Sequence, residues 1–90
     1  MIGNCEICHR FRPLERHHVF PGIRRARSEQ YGAVAEICHE CHMRLHDNPL
    51  QYRWLQANWQ RRVCEEQGWS TEEFVRVFGK NYSGYAGGNK

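Results

Sequence analysis

The sequence predicts a small α+β domain that depends on metal ligands for much of its stability. Three observations lead to this prediction. The chain has 90 residues, 40% of them apolar, and a chain of this length buries only about 60–65% of the surface that its unfolded form exposes. It contains five cysteines and six histidines, and small domains usually need a disulfide, a metal or a partner to fold stably. Its first half shows short strand patterns, and its second half shows helical ones.

The first half of the chain predicts a tight turn at the first cysteine pair, then two strands and two helices. Residues 14–20 form a strand pattern that stops at Pro21-Gly22, a turn pair. A short helix is expected over 23–30, and the weak alternation of 33–37 favours a second strand. A further helix is expected from about 38 to about 46. These elements are short, so they cannot bury a large core by themselves.

The second half of the chain predicts two helices that cover the first half. Asp47-Asn48-Pro49 is a helix start signal, and the helix extends over 50–67 until Gly68 ends it. Apolar residues recur on one face of it at three- and four-residue steps, namely Tyr52, Leu55, Trp59 and Val63. Ser70 and Glu73 form a capping box before a short helix that presents Phe74, Val77 and Phe78.

These patterns predict a single domain over 1–82. Within it, 5–46 would form the metal-binding core and 50–79 the helical cover. The tail 83–90 is rich in glycine and has no aliphatic side chain larger than alanine, so we expect it to be disordered.

Two cysteine pairs with the same spacing predict a structural zinc site. Cys5 and Cys8, and then Cys38 and Cys41, are each separated by two residues, which lets both sulfurs of a pair reach one ion at about 2.3 Å. Two such pairs complete a tetrahedral Zn²⁺ site. A turn-borne pair followed by a helix-borne pair is the layout of a treble-clef zinc finger. The alternative is two unrelated thiol pairs, and Cys64 is predicted to be a buried free thiol.

None of the six histidines is needed for that zinc site, and four of them are candidates for a second metal site and its chemistry. His42 and His46 are four residues apart on the predicted helix, so they share a face and can chelate one ion. His17 and His18 are adjacent on the predicted strand and therefore point to opposite sides. If one of them faces the helix, it completes a three-nitrogen site, and the other is free to act on a water. Three imidazoles leave open positions on an ion, as a catalytic site needs.

The segment from Arg10 to Arg27 is strongly basic and predicts a polyanionic partner. It holds six arginines against one acid, Glu15, which is a local charge of +5 in a chain of net charge +3. The guanidinium group of arginine can donate hydrogen bonds to two phosphate oxygens at once. Beside a metal site this charge favours nucleic acid as the partner. A solvated basic loop is the alternative.

The start of the chain and its hydropathy predict the cellular compartment. Residues 1–5 show neither the basic start nor the apolar stretch of a signal peptide. No apolar run approaches the roughly 18–20 residues that cross a bilayer, and the mean hydropathy is −0.83. We therefore expect a cytoplasmic protein with no membrane partner. In a reducing compartment, paired cysteines are metal ligands more often than disulfides.

Taken together, these motifs resemble the HNH endonucleases of the ββα-metal superfamily. The resemblance covers 5–46 and rests on the two cysteine pairs, on the run Arg16-His17-His18-Val19-Phe20-Pro21, and on Cys41-His42 followed by His46. It implies a ββα-metal core built on a treble-clef zinc finger. A weaker resemblance of 72–82 to small HNH-like proteins of phages and prophages implies a bacterial or phage-infected cell.

The resemblance also implies roles for individual residues. His17, His42 and His46 would bind a catalytic divalent ion (Mg²⁺, Mn²⁺, Ni²⁺ or Zn²⁺), and His18 would be the general base. The chain departs from the family at Ala33, five residues before the second cysteine pair, where the family has an asparagine that helps to orient the general-base histidine. Its absence leaves that task to another group, or implies weakened or lost catalysis.

The function that these motifs imply is metal-dependent hydrolysis of phosphodiester bonds in nucleic acid, expected to be DNA. Four arginines would hold phosphates, so that binding weakens steeply with salt: Arg16, Arg24, Arg25 and Arg27. Whether the chain forms a homodimer stays open. The alternative function is a non-catalytic treble-clef zinc module that binds nucleic acid or a protein partner. A thiol redox protein is disfavoured, because the βαβ setting of such proteins is missing.

Overall fold

The computed structural model describes residues 1–20 and 22–84. Of the predicted disordered tail, 83–90, everything after 84 lies outside the described residues. The described chain forms three strands and four α-helices, which confirms the predicted α+β class. In chain order these elements are β1 (Ile2–Asn4), β2 (Phe11–His18), α1 (Arg25–Gln30), β3 (Val34–Cys38), α2 (His39–Asp47), α3 (Arg53–Gln67) and α4 (Thr71–Phe78).

The three strands form one antiparallel sheet with β2 in the centre. The pairing of β2 with β3 places Leu14 opposite Cys38. Glu6, in the turn after β1, donates its N–H to the carbonyl of Glu36 at 3.0 Å. The turn that carries the first cysteine pair therefore lies beside the end of β3, where the second pair begins.

Two features of the sheet differ from the sequence predictions. Strand β1 was not predicted, because three residues are too few to show an alternating pattern. The predicted bounds 14–20 for β2 were wrong, since the strand covers 11–18. It starts earlier because β1 pairs with 11–13. Pro13, which lacks an N–H, is tolerated there because it precedes the segment that pairs with β3.

A buried serine holds α1 against the end of β2. Ser28 is fully buried, and its hydroxyl donates to the carbonyl of Phe20 at 3.0 Å and accepts from the N–H of Phe20 at 3.1 Å. The predicted helix over 23–30 is confirmed over its later part, whereas Gly22–Arg24 form a 3₁₀ turn. Helix α1 is thereby placed alongside the last residues of β2.

Helix α2 begins directly after β3, with Cys38 as its N-cap residue. The predicted helix from about 38 to about 46 is confirmed within one residue at each end. Cys41 is buried on this helix, whereas His42 is partly exposed and His46 is exposed. One helix thus turns a cysteine towards the core and two histidines towards the surface.

The second half contains the predicted helical cover, with one correction. The single helix predicted over 50–67 is divided into a 3₁₀ turn at Pro49–Tyr52 and α3. The side chain of Asn48 makes no capping hydrogen bond, and the carbonyl of Asn48 instead accepts from the N–H of Gln51 at 3.1 Å, which closes a tighter turn. Gly68 ends α3 as predicted, with a left-handed φ of +70°.

The core joins the sheet to the helical cover around an aromatic cluster. The ring of Phe20 lies 5.5 Å from Phe74, 4.9 Å from Phe78 and 4.8 Å from Tyr82, measured between ring centroids. The predicted apolar face of α3 is confirmed, since Leu55, Trp59 and Val63 are buried and Tyr52 is partly buried. The predicted capping box of α4 is also present.

Polar contacts attach α3 to the first half of the chain. The indole N–H of Trp59 donates to the carboxylate of Glu6 at 2.7 Å, and the guanidinium of Arg62 donates to the same carboxylate oxygen at 3.1 Å. The side-chain amide of Gln56 donates to the carbonyl of Val19 at 3.2 Å. No helix in the described part of the chain is long and apolar enough to span a bilayer.

Candidate metal centres

The four predicted zinc ligands converge at the junction of the β1–β2 turn, β3 and α2. The sulfurs of Cys5, Cys8, Cys38 and Cys41 all lie within 4.8 Å of one another, and those of Cys8 and Cys38 are 3.8 Å apart. Two sulfurs bound tetrahedrally to one zinc at about 2.3 Å each lie about 3.8 Å apart. This cysteine cluster could therefore hold a structural metal such as zinc.

The surroundings of the cysteine cluster favour a thiolate at Cys5 and a protonated thiol at Cys41 as long as no cation is bound. The N–H groups of Ile7 and Cys8 point at the sulfur of Cys5, at 3.3 and 3.4 Å. Burial alone would raise the pKa of Cys5, but these backbone hydrogen bonds lower it to about 6. The guanidinium of Arg12 lies 3.7 Å from the sulfur of Cys38. Burial, followed by hydrogen bonds with the neighbouring sulfurs, raises the pKa of Cys41, so this thiol keeps its proton when no cation is bound. A bound cation would displace that proton.

Three histidines converge in a second cluster between β2 and α2. The ring centroid of His17 lies 5.3 Å from that of His42 and 6.0 Å from that of His46, and the two helical rings are 4.8 Å apart. One nitrogen from each ring lies within 4.8 Å of the other two. His17 is the least exposed of the three and His46 the most exposed. The structure thus brings together the three residues predicted as ligands of a catalytic ion.

The imidazole of His17 is suited to metal binding. Burial lowers its pKa to about 4, and repulsion from the rings of His42, His46 and His18 contributes to the shift. The ring is therefore neutral at pH 7, and a neutral imidazole offers a lone pair to a cation. One ring nitrogen of His17 lies within 4.8 Å of a ring nitrogen of each of the two histidines of α2.

A carboxylate that the sequence analysis did not single out orients one of these histidines. Glu15 accepts a hydrogen bond from Nδ1 of His42 at 2.7 Å and another from Nδ1 of His39 at 2.9 Å. These two hydrogen bonds lower the pKa of Glu15. Because Nδ1 of His42 carries the proton, its Nε2 is left for an ion. The signal was present in the sequence, since Glu15 and His17 are two residues apart on a strand and share a face.

His18 lies outside the histidine cluster, on the other face of β2. Its Nε2–H donates to one oxygen of Glu29 at 2.7 Å, and the other oxygen of Glu29 accepts from Arg16 at 2.8 Å. The hydrogen bond from Arg16, followed by that from His18, lowers the pKa of Glu29. Glu29 was missed by the sequence analysis, because nothing in a helix of six residues marks one acid as the partner of a strand residue.

Ala33, which stands where the resemblance to HNH endonucleases leads one to expect an asparagine, is fully buried. Its N–H donates to the carbonyl of Ser28 at 2.7 Å, and its carbonyl accepts from Val19 at 3.1 Å. The loop between α1 and β3 is thus held by backbone hydrogen bonds. The polar side chain that contacts His18 comes from α1 as a carboxylate.

The arginines predicted to hold phosphates flank the end of β2 on two sides: Arg16, Arg24, Arg25 and Arg27. Arg24 lines a cavity of about 540 Å³ together with His17 and His46, and its Nε donates to the carbonyl of Phe78. Arg16 and Arg25 line an open concavity that contains His18. Arg27 is exposed on α1 and contacts Gln30 at 3.3 Å. Positive charge thus lies beside each of the two histidine sites.

Cys64 is half-buried, whereas a buried thiol was predicted. It lies on α3 outside the cysteine cluster, and burial raises its pKa, with added repulsion from Glu65 and Glu73. Its sulfur lies 4.0 Å from the carbonyl oxygen of Ser70, and it lines a surface concavity together with Trp69. A high pKa keeps it protonated at pH 7, so nothing marks Cys64 as a metal ligand or a nucleophile.

Comparison with models of protein families, with curated proteins and with solved structures finds no match for this chain.

Proposed function

We propose that this chain is a metal-dependent endonuclease of the HNH type that hydrolyses phosphodiester bonds of DNA, on a treble-clef ββα-metal core. The observation that carries the proposal is the presence of two separate ligand clusters of different chemistry. The cysteine cluster supplies four sulfurs, which is a complete tetrahedral set. The histidine cluster supplies three nitrogens next to a cavity, and an incomplete set of this kind is typical of catalytic sites.

The histidine cluster fits a divalent ion by its chemistry. His17 is neutral at pH 7, and the proton on Nδ1 of His42 leaves Nε2 for coordination. Imidazole ligands suit Zn²⁺ or Ni²⁺ better than Mg²⁺ or Mn²⁺, although a partly open site can take either of the last two ions. When bound there, the ion would act as a Lewis acid towards phosphate oxygens.

His18 is the proposed general base. Its Nε2–H is held by Glu29, so the lone pair of the neutral ring lies on Nδ1, which can accept a proton from water. Glu29 is the proposed positioning residue and takes the place of the family's asparagine. A carboxylate that holds one ring nitrogen fixes both the tautomer and the orientation of the ring.

The basic side chains are proposed to bind phosphates of the DNA backbone. Arg24 lies on the side of the histidine cluster, and Arg25 lies on the side of His18. A strand that crosses the end of β2 would therefore meet a cation on either side of the scissile phosphate. Binding that depends on such contacts weakens steeply as the salt concentration rises.

Cleavage assays on supercoiled plasmid and on single-stranded DNA, each with added Mg²⁺, Mn²⁺, Ni²⁺ or Zn²⁺, test the proposal. We expect cleavage with at least one ion and a loss of about 10²–10⁴-fold in the His18→Ala variant, which is the usual contribution of a general base. His9→Asn is the matched control, because His9 is exposed and has a φ of +67°, which asparagine tolerates.

Metal content distinguishes the enzyme from the alternative module. An enzyme should hold two ions per chain, one of them removed by a mild chelator. Absence of cleavage with every ion, together with a single tightly bound zinc, would favour a non-catalytic zinc module. Cleavage that survives His18→Ala would refute the role of that residue.

A further inference from the structure

The cavity next to the histidine cluster has the size and the lining of a site for a small ligand. Its volume is about 540 Å³, within the range of about 300–1,000 Å³ that is typical of small-molecule sites. His17 and His46 form part of its wall. An occupant would therefore lie directly beside an ion held by the histidine cluster.

The walls of this cavity differ from its rim. The deep part of the cavity is lined by the apolar side chains of Val19, Leu45 and Leu55. These residues lie away from the surface, since Val19 and Leu55 are 1% exposed and Leu45 is 9% exposed. The phenol ring of Tyr52 is partly buried and also lines the cavity. An apolar interior with an aromatic wall accepts a planar, uncharged ring more readily than a phosphate.

The rim is basic. Arg53 and Lys80 are exposed side chains on the lining, and Arg24 is partly exposed on it. Phosphates of a nucleic acid strand would lie against such a rim, whereas the base between them would enter the apolar interior. The charge of the rim and the apolarity of the interior together match a nucleotide.

We propose that this cavity binds one unpaired nucleotide of a DNA strand next to the scissile phosphate, so that the substrate is single-stranded DNA or a duplex with an unpaired nucleotide. The inference rests on the proposed nuclease function. A base inside a duplex is stacked and paired, and it reaches a concave site only after it is turned out of the helix. A continuous duplex would cover the mouth of the cavity and leave the interior empty.

The mouth of the cavity carries a side chain suited to this task. Leu50 is 69% exposed, lines the cavity and follows Pro49 in the 3₁₀ turn before α3. Proteins that unstack bases commonly insert an exposed apolar side chain between neighbouring steps. Leu50 would occupy the gap that the unstacked base leaves behind.

Fluorescence anisotropy on labelled DNA, with the zinc-loaded protein and no added second ion, tests the cavity without requiring cleavage. We expect tighter binding of a single strand, and of a duplex with one unpaired nucleotide, than of the continuous duplex. Tyr52→Leu keeps an apolar side chain but removes the ring. It should weaken binding of the first two DNAs about tenfold, within the usual range for stacking one base, and leave the continuous duplex unchanged.

Two further variants provide an independent probe of the cavity and a matched control. Leu50→Ala alters an exposed side chain and cannot disturb the core, so it should lower the same preference even if Tyr52→Leu folds poorly. Phe11→Leu is the matched control, because Phe11 is a 73% exposed ring at the far end of β2 and its loss should change nothing. Equal affinity for all three DNAs, or equal losses on all three in the Tyr52 and Leu50 variants, would overturn the inference.

The same DNAs in the cleavage assay separate this inference from the proposed function. Cleavage of the continuous duplex at the rate of the single strand, unaffected by Leu50→Ala, would overturn the nucleotide site and leave the nuclease standing. Binding that prefers unpaired DNA without cleavage by any ion would overturn the nuclease and support the nucleotide site.

Discussion

The cysteine cluster and the histidine cluster lie next to each other on the same helix, yet they differ in almost every physical respect. Cys41 and His42 are consecutive residues of α2, but Cys41 is buried and His42 is partly exposed. The cysteine cluster receives backbone N–H groups from its own turn. The histidine cluster receives a carboxylate from a neighbouring strand residue.

This difference suggests that the cysteine cluster stabilises the fold and that the histidine cluster serves the proposed reaction. Four cysteine sulfurs, three of them on buried residues, would complete the coordination of one ion and connect three chain segments, as a structural site does. The three imidazoles, of which His17 is the least exposed and His46 the most exposed, would connect only β2 and α2, which already contact each other. Loss of the first cluster should therefore unfold the protein, whereas loss of the second should leave it folded and inactive.

Removal of a zinc ligand should have the largest effect. In Cys41→Ser we expect loss of zinc and of the folded state, because structural zinc contributes on the order of 10–16 kcal/mol, more than the roughly 5–15 kcal/mol of a typical domain. Zinc content and circular dichroism measure this. Cys64→Ser is the control and should keep both zinc and fold. A Cys41→Ser variant that folds without zinc would contradict a structural role for the cluster.

Removal of a histidine ligand should abolish cleavage without unfolding the chain. His46 is exposed, so His46→Ala should change the free energy of unfolding by no more than about 0.5 kcal/mol. The bound ions should fall from two per chain to one. Metal analysis, thermal denaturation and the cleavage assays together measure this. An unfolded His46→Ala variant would show that the histidines are structural after all.

Loss of the carboxylate behind His42 should weaken the second ion only. Since partners of this kind typically contribute 10–100-fold to metal affinity, we expect Glu15→Gln to weaken the second ion by about that factor. Zinc in the cysteine cluster should be retained. Calorimetric titration with Zn²⁺, Ni²⁺ or Mn²⁺ measures the affinity. Glu40→Gln removes a carboxylate that contacts Arg12 on the zinc side and should leave the second ion unaffected.

Loss of the carboxylate behind His18 should have the smallest effect of the four. In Glu29→Gln we expect the cleavage rate to fall about tenfold, a fraction of the general-base contribution, because a neutral amide oxygen holds the Nε2–H of His18 more weakly than a carboxylate does. Both ions should be retained. Initial rates with the matched control Glu36→Gln, an exposed acid of β3, measure this. A wild-type rate in Glu29→Gln would remove Glu29 from the mechanism.

Several parts of the fold could be predicted because they depend on short spacings. The capping box of Ser70 and Glu73 and the glycine end of α3 are local patterns, and both are present as expected. The cysteine pairs and the four-residue step from His42 to His46 depend only on turn and helix geometry. Strand β1 and the 3₁₀ turn at Pro49–Tyr52 were missed, because the first needs β2 as a partner and the second a turn tighter than an α-helix.

The sequence by itself determined which residues could bind metal and which short elements carry them, because covalent spacing and backbone periodicity set those features. Only the tertiary structure decided which of His17 and His18 faces α2. That choice depends on the register of β2 against β3, in which Leu14 lies opposite Cys38, and a slip of one residue would exchange the two rings. The attachment of α1 to the end of β2 through Ser28 brings Glu29 to His18, a contact between distant residues that no local pattern specifies.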